Sequence, residues 1–210
     1  AKKLLAREKI KIIGFTRQVG KNIAQTIDFN EIENNIVRCP DAKMADKMVN
    51  AIMRARKKGD SLGGIVEVIA QGVPAGLGEP VFDRLDADLA KAVMSIPAVK
   101  GVEIGVGFQS ATMTGSQCND VFAMKNKKVV TETNNAGGIL GGISNGMDIV
   151  VKLVVKPTSS INKAQDTVTR QGKKAEIRVE GRHDPCVAPR AVPIAEAMVA
   201  LTLIDHLYRN

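Results

Sequence analysis

Hydrophobic positions along the chain switch between two spacings. Residues 1–8 look like the end of a charged helix, and Ile10, Ile12, Ile13, Phe15 and Val19 within residues 9–20 then read as a strand. Ala45, Met48, Val49, Ile52 and Ala55 recur at three- and four-residue intervals. They predict a helix that starts at Cys39-Pro40-Asp41, takes Asp41 as its N-cap, runs through Arg56 and stops at Gly59. Ile65, Val66, Val68 and Ile69 mark a strand over 63–71, and Pro74, Gly76, Gly78 and Pro80 break 72–80 into a loop. A helix is expected from about Phe82 to Ser95, with Phe82, Leu85, Leu89, Ala92 and Val93 on one face. Residues 98–107 read as a strand. Residues 109–128 are polar and aperiodic, which predicts a mobile loop. The unbroken apolar run Ile149–Val155 predicts a central strand covered on both faces. Ala175–Val179 alternates as a half-buried strand. Pro189–Leu207 closes the chain as an amphipathic helix with Val192, Ala195, Met198, Val199, Thr202 and Leu203 inward.

Strands and helices alternate without a strict βαβ rhythm. That favours an α+β fold, a layered sandwich of mostly antiparallel sheet with helices, over a doubly wound parallel one. No internal repeat, low-complexity tract or linker divides residues 1–210, so a single domain is expected. No run of about 18 apolar residues occurs, so no membrane span is expected. The N-terminus is charged and helix-like, with no apolar signal core. It also lacks an initiator Met, which points to a processed chain or one cut from something longer.

Charge narrows the partners. The net charge of +8 suits anionic ligands, either nucleic acid or phosphorylated small molecules. With no Trp, one Tyr and five Phe, the chain lacks stacking platforms for single strands, and its cations are interspersed with acids. A phosphorylated small molecule is therefore the favoured partner. Cys39, Cys118 and Cys186 form no CxxC pair, which argues against zinc or a disulfide scaffold and for free thiols in a reducing, cytoplasmic setting. No metal is expected.

Three segments carry candidate chemistry. Asn134-Asn135-Ala136-Gly137-Gly138-Ile139-Leu140-Gly141-Gly142 exposes backbone to which a ligand can come close, or makes a tight turn. It is neither a P-loop nor a dinucleotide fingerprint. Lys156-Pro157-Thr158-Ser159-Ser160 follows the apolar strand and offers a cation and three hydroxyls to a phosphate, a ring carbonyl or a ribityl chain; the alternative is a polar turn. Gly181-Arg182-His183-Asp184-Pro185-Cys186 sets a guanidinium, an imidazole and a carboxylate side by side. Arg182 can grip a phosphate or carboxylate, and Asp184 and His183 can move protons; the alternative is a capped turn with an internal Arg–Asp pair. His206, in the last turn of the final helix, is explained by packing or the helix dipole. Gly59-Asp60-Ser61 is read as a turn in preference to a nucleophile, since only two histidines are present.

Those segments, in this order, resemble chorismate synthase. The likeness includes Gly59-Asp60-Ser61-Leu62-Gly63-Gly64, Val73-Pro74-Ala75-Gly76-Leu77-Gly78-Glu79-Pro80-Val81-Phe82, Leu85-Asp86-Ala87-Asp88-Leu89-Ala90 and the stretch from Arg190-Ala191-Val192-Pro193 to Asp205-His206-Leu207. It covers nearly the whole chain. The resemblance implies a β-α-β sandwich fold and an anti-1,4-elimination of phosphate from 5-enolpyruvylshikimate 3-phosphate. The product is chorismate, on the shikimate pathway of aromatic amino acid biosynthesis. It implies reduced FMN as cofactor, NADPH or an outside donor as reductant, and a homotetramer. It places FMN against Ala98, Gly141, Lys156, Pro157, Thr158, Ser159, Ser160 and Arg182. Arg182 also reaches the substrate, and Asp184 is the catalytic aspartate that assists proton removal through flavin N5. His183 is not one of the family's principal catalytic histidines, and Pro97 stands where the family commonly has Asn. The family's N-terminal part, with two catalytic histidines and an Arg-Ser-Ser flavin segment, has no counterpart here. A C-terminal portion is therefore expected, ending before the family's short tail and exposing apolar strand and helix surface. The alternative is an inactive structural or assembly fragment lacking half of the active site.

Overall fold

A computed structural model describes residues 1–125 and 127–210. A short helix α1 (Lys2–Arg7) leads into strand β1 (Lys11–Val19), its brief partner β2 (Asn22–Ile23) and a 3-10 turn at Phe29–Asn34. Helix α2 (Ala42–Lys57) and strand β3 (Gly64–Gln71) follow, then α3 (Leu85–Met94) and β4 (Val99–Ile104). A short helix α4 (Gly115–Cys118) precedes two hairpins, β5 (Phe122–Lys125) with β6 (Lys128–Thr131), and β7 (Ile139–Leu140) with β8 (Ile143–Ser144). Strand β9 (Ile149–Val155), the hairpin β10 (Gln165–Val168) with β11 (Lys174–Ile177), and the long helix α5 (Ala188–Arg209) complete the chain.

Five strands make one sheet in the order β2-β1-β3-β9-β4, every neighbouring pair antiparallel. This is the expected α+β arrangement. Strand alternation decides what each face meets. Ile12, Val66, Val68, Val151, Leu153 and Val155 point to one face, where α5 covers β1 and β3 and α3 covers β4. Ala188, Ala191, Val192, Ala195, Val199 and Leu203 of α5 are buried there. The small residues let the helix sit close to the sheet. A Cβ on Gly14 would stand 2.5 Å from Glu196 Cγ, so a larger residue there would displace the Glu196 side chain. Glu196 in return accepts the Gly14 N–H at 2.7 Å and the Lys2 ammonium at 2.6 Å, which covers part of the β1 edge.

The opposite face is only partly covered. Phe29 and Ile32 of the 3-10 turn close over Ile13, Phe15 and Ile69. Beyond them runs the row Phe15, Glu67, Lys152, Glu103 across four strands. Val154 is 39% exposed, so β9 alternates between a buried and an open side and is not covered on both faces as its composition predicted. An unbroken apolar run reports hydrophobicity but not which of its two faces finds a partner.

Other expectations also change. Helix α3 starts three residues late, and Phe82 is 92% exposed where it was expected to face inward. Glu79 and Asp83 exchange backbone hydrogen bonds at 2.8 and 3.0 Å, which turns the chain back on itself and puts Phe82 near the tip of the turn. The segment expected to be a mobile loop over 109–128 contains a 3-10 turn at Gly107–Thr112, α4 and β5; Asn126 lies outside the described residues. Short-range polar bonds order it. Thr114 and Gln117 form a reciprocal capping box, a device without hydrophobic period. The half-buried strand expected over 175–179 is instead the outer hairpin β10–β11, with Ile177 half exposed. Helix α5 is long and apolar enough to cross a bilayer by length and composition, yet its apolar side is the core layer on the sheet.

Candidate active site

Three loops meet where β9 ends and β3 begins. Lys156 donates its N–H to the Ala98 carbonyl at 2.9 Å, which joins the end of β9 to the turn that enters β4. The Ser61 hydroxyl donates to the Thr158 carbonyl at 2.6 Å, and the Thr158 hydroxyl donates to the Asp184 carbonyl at 2.9 Å. Leu62 N–H reaches the Pro185 carbonyl at 2.8 Å. Segments 59–64, 156–160 and 181–186 are thereby knitted together although Ser61 and Thr158 stand 97 positions apart. Gly63 belongs to this seam. A Cβ there would lie 2.8 Å from the Val155 carbonyl oxygen and 3.0 Å from Pro157 Cδ.

The loops enclose a cleft of about 240 Å³ lined by Arg56, Ser160, Asn162, Arg182, His183 and Asp184, among others. Its carboxylates are already engaged. Asp184 accepts from Arg190 at 2.5 Å, which holds the carboxylate against the first turn of α5. Asp60 accepts from Lys163 at 2.5 Å. That bond first, and the Ser61 N–H second, hold its carboxyl below the usual carboxylate range. Neither Arg56 nor Arg182 has an ion-pair partner among the described residues. The cleft therefore presents uncommitted guanidinium donors to an anion. Cys186 lies behind it, where burial pushes its thiol up and away from reactivity.

The residues singled out in the sequence distribute unevenly. Ser160, Arg182, His183 and Asp184 line the cleft. Lys156, Pro157 and Ser159 are exposed beside it, while Thr158 is half-buried with its hydroxyl spent on the seam. Ala98 sits at the seam with φ +70°, a conformation that L residues rarely adopt and that recurs at binding sites. Gly141 is remote. Leu85 N–H binds the Gly142 carbonyl at the start of α3, and Ala98 lies just past its end. The ten residues of α3 put roughly 15 Å between them. Around Gly141 the turn reading holds. A Cβ on Gly137, Gly138 or Gly142 would meet other atoms at 2.6 Å or closer, whereas at Gly141 it meets nothing within 4 Å.

Two features escaped the sequence. Arg56 is an exposed cation in the last turn of α2, indistinguishable by pattern from Arg54 and Lys57. Asp120 is buried and accepts from Thr133 Oγ1 at 2.6 Å and from the N–H groups of Asn135 and Ala136 at 2.7 and 2.8 Å. It organises the approach to the Gly-rich segment. Ser61, whose hydroxyl is committed to Thr158, is the turn residue the sequence favoured. Among the described residues no cluster of metal-ligating side chains occurs.

An antiparallel sheet backed by helices, with a cationic, hydroxyl-bearing cleft at its strand ends, defines an α+β protein. The chain belongs to the chorismate synthase family, whose model matches residues 1–208. It is 57% identical over 217 residues to the chorismate synthase of Methanosarcina mazei, covering all of this chain and 59% of that protein. It is 57% identical over 211 residues to that of Roseiflexus castenholzii, with the same coverage. A crystal structure of chorismate synthase superposes with a TM-score of 0.82 at 32% identity, over 99% of this chain and 60% of that one. The chain thus spans about three-fifths of the length of these relatives.

Proposed function

We propose that this chain supplies the cleft side of a chorismate synthase active site. The reaction is the anti-1,4-elimination of phosphate from 5-enolpyruvylshikimate 3-phosphate to give chorismate, in aromatic amino acid biosynthesis. The observation that carries this reading is the seam that brings Ser160, Arg182 and Asp184 into one cleft beside Lys156 and Ala98. In the reaction a C–O bond breaks, phosphate leaves with the electron pair, and a ring proton is lost. Reduced FMN, when bound, supplies electron density for that departure with no net redox change.

The residues fit such a group. Lys156 is exposed at a strand end, and Ala98 offers a strained turn in reach of Lys156. Lys156, Thr158, Ser159, Ser160 and Arg182 would hold the cofactor, with Pro157 shaping their turn. Arg182 also grips a substrate carboxylate or phosphate. In this reading Asp184, whose carboxylate is held by Arg190, assists the proton removal. The working state is a cytoplasmic homotetramer, with NADPH or an outside donor as reductant.

The test is a flavin-spectrum titration of the full-length protein with oxidised and reduced FMN, with and without the phosphorylated substrate. Saturable binding that tightens with substrate and is lost in Lys156→Ala or Arg182→Ala is expected. A folded protein that binds no flavin rejects the reading. The 59% coverage of the relatives favours a second reading for the 210 residues in isolation, an inactive assembly piece. Restoration of turnover on adding the remaining part of the enzyme separates the two.

A further inference from the structure

We infer that Arg56 is a ligand-binding residue, the second guanidinium of a phosphate subsite whose first is Arg182. The inference rests on the function proposed above and adds a residue from α2 that no motif marks. The two arginines come from elements 126 positions apart and line the same cleft, together with Ser160 and Asn162. The cleft's acids do not compete for them. Asp60 is held by Lys163 and Asp184 by Arg190.

The local backbone explains how Arg56 gets there. Helix α2 ends at Lys57, and Gly59, at φ +66°, turns the chain into the Asp60–Ser61 seam. A Cβ on Gly59 would lie 2.7 Å from the Asn162 carbonyl oxygen, so α2 comes this close to the 160–163 loop only with glycine. The Asp60–Lys163 pair ties the same loop down from the other side. The carbonyl end of a helix repels anions, and Arg54, Arg56 and Lys57 in that last turn offset it. Two guanidiniums with a hydroxyl and an amide present many donors around one space. They suit a tetrahedral dianion, a phosphate monoester, better than a planar carboxylate.

Both the flavin cofactor and the substrate carry such a group, and the experiment separates them. In the full-length protein, Arg56→Ala is compared with Arg54→Ala, which removes a cation from the same turn but not from the cleft. Dissociation constants for FMN and riboflavin, and KM for 5-enolpyruvylshikimate 3-phosphate, are measured, with circular dichroism to confirm folding. Arg56→Ala is expected to weaken one phosphate ligand about tenfold, with partial recovery in Arg56→Lys. If the phosphate is the flavin's, FMN weakens and riboflavin does not. If it is the substrate's, KM rises while FMN affinity holds. An Arg56→Ala protein no different from Arg54→Ala overturns the inference, even where Arg182→Ala abolishes binding. An Arg182→Ala protein that binds both ligands normally removes the functional reading beneath it.

Discussion

At the scale of single residues, two buried carboxylates behave in opposite ways. For Asp120, burial alone pushes the carboxyl up, but the Thr133 hydroxyl and the Ala136 and Asn135 N–H groups outweigh it and hold it below its ordinary value. A depressed carboxylate stabilises the fold above its unfolded pKa, and that contribution is lost as pH falls through the lower folded one. Asp120→Ala should therefore cost about 2–4 kcal/mol near neutrality, with the difference from wild type shrinking below about pH 4. Urea midpoints measured across that range check it; a deficit that stays constant into acid contradicts the bonding described. Glu67, 6% exposed in the middle of β3, is the reverse case. Burial raises its carboxyl, and Arg17, 3.6 Å away, and Lys152 only partly oppose this. A raised acid favours the fold below its unfolded pKa and loses that advantage as pH rises through the folded value. Glu67→Gln should then gain stability relative to wild type as pH rises above about 4.5, which paired thermal melts at pH 4 and pH 7 would reveal.

At the scale of elements, α3 and α5 are bound by more than apolar contact. His206 is buried on α5, and its Nε2 stands 3.0 Å from Asp88 Oδ2 on α3. The sequence offered packing or a dipole role for His206, and the structure gives it a partner across the helix interface. Replacing it by Ala removes a buried ring and leaves a carboxylate without its bond. Chemical denaturation of His206→Ala should show a loss of about 2–3 kcal/mol. Because α3 runs from the Gly142 turn to the Ala98 turn, the same variant should raise the FMN dissociation constant in the full-length protein. Unchanged stability would mean that the Asp88 contact contributes nothing net.

At the scale of the molecule, exposed rings are conspicuous. Three of the five phenylalanines, Phe82, Phe108 and Phe122, are 92%, 78% and 62% exposed, an arrangement that calls for cover. The uncovered face of the sheet adds Val154. In the tetramer proposed above, subunit contacts would supply that cover. Sedimentation velocity of wild type beside Phe82→Ser/Phe108→Ser tests it. A stable tetramer in both would show that these rings lie outside the contacts.

Much of this architecture was legible from residue order alone, because it rests on local physics. Strands β1 and β3, helices α2 and α5, and the Asp41 cap depend on spacing and on side chains within a few positions. Asp41 does accept the Met44 N–H at 3.1 Å, and α2 begins where that cap predicts. The recurrence of Lys156–Ser160 and Gly181–Cys186 with their neighbours was likewise enough to place the chain in its family. Spacing carried no information about contacts between distant segments. The seam from Ser61 to Thr158 to Asp184, the open face of β9, the outward turn of Phe82, the separation of Gly141 from the cleft and the entry of Arg56 into it all depend on such contacts. These were decided by the tertiary structure, since hydrogen bonds and burial between segments a hundred or more positions apart exist only once the sheet has closed.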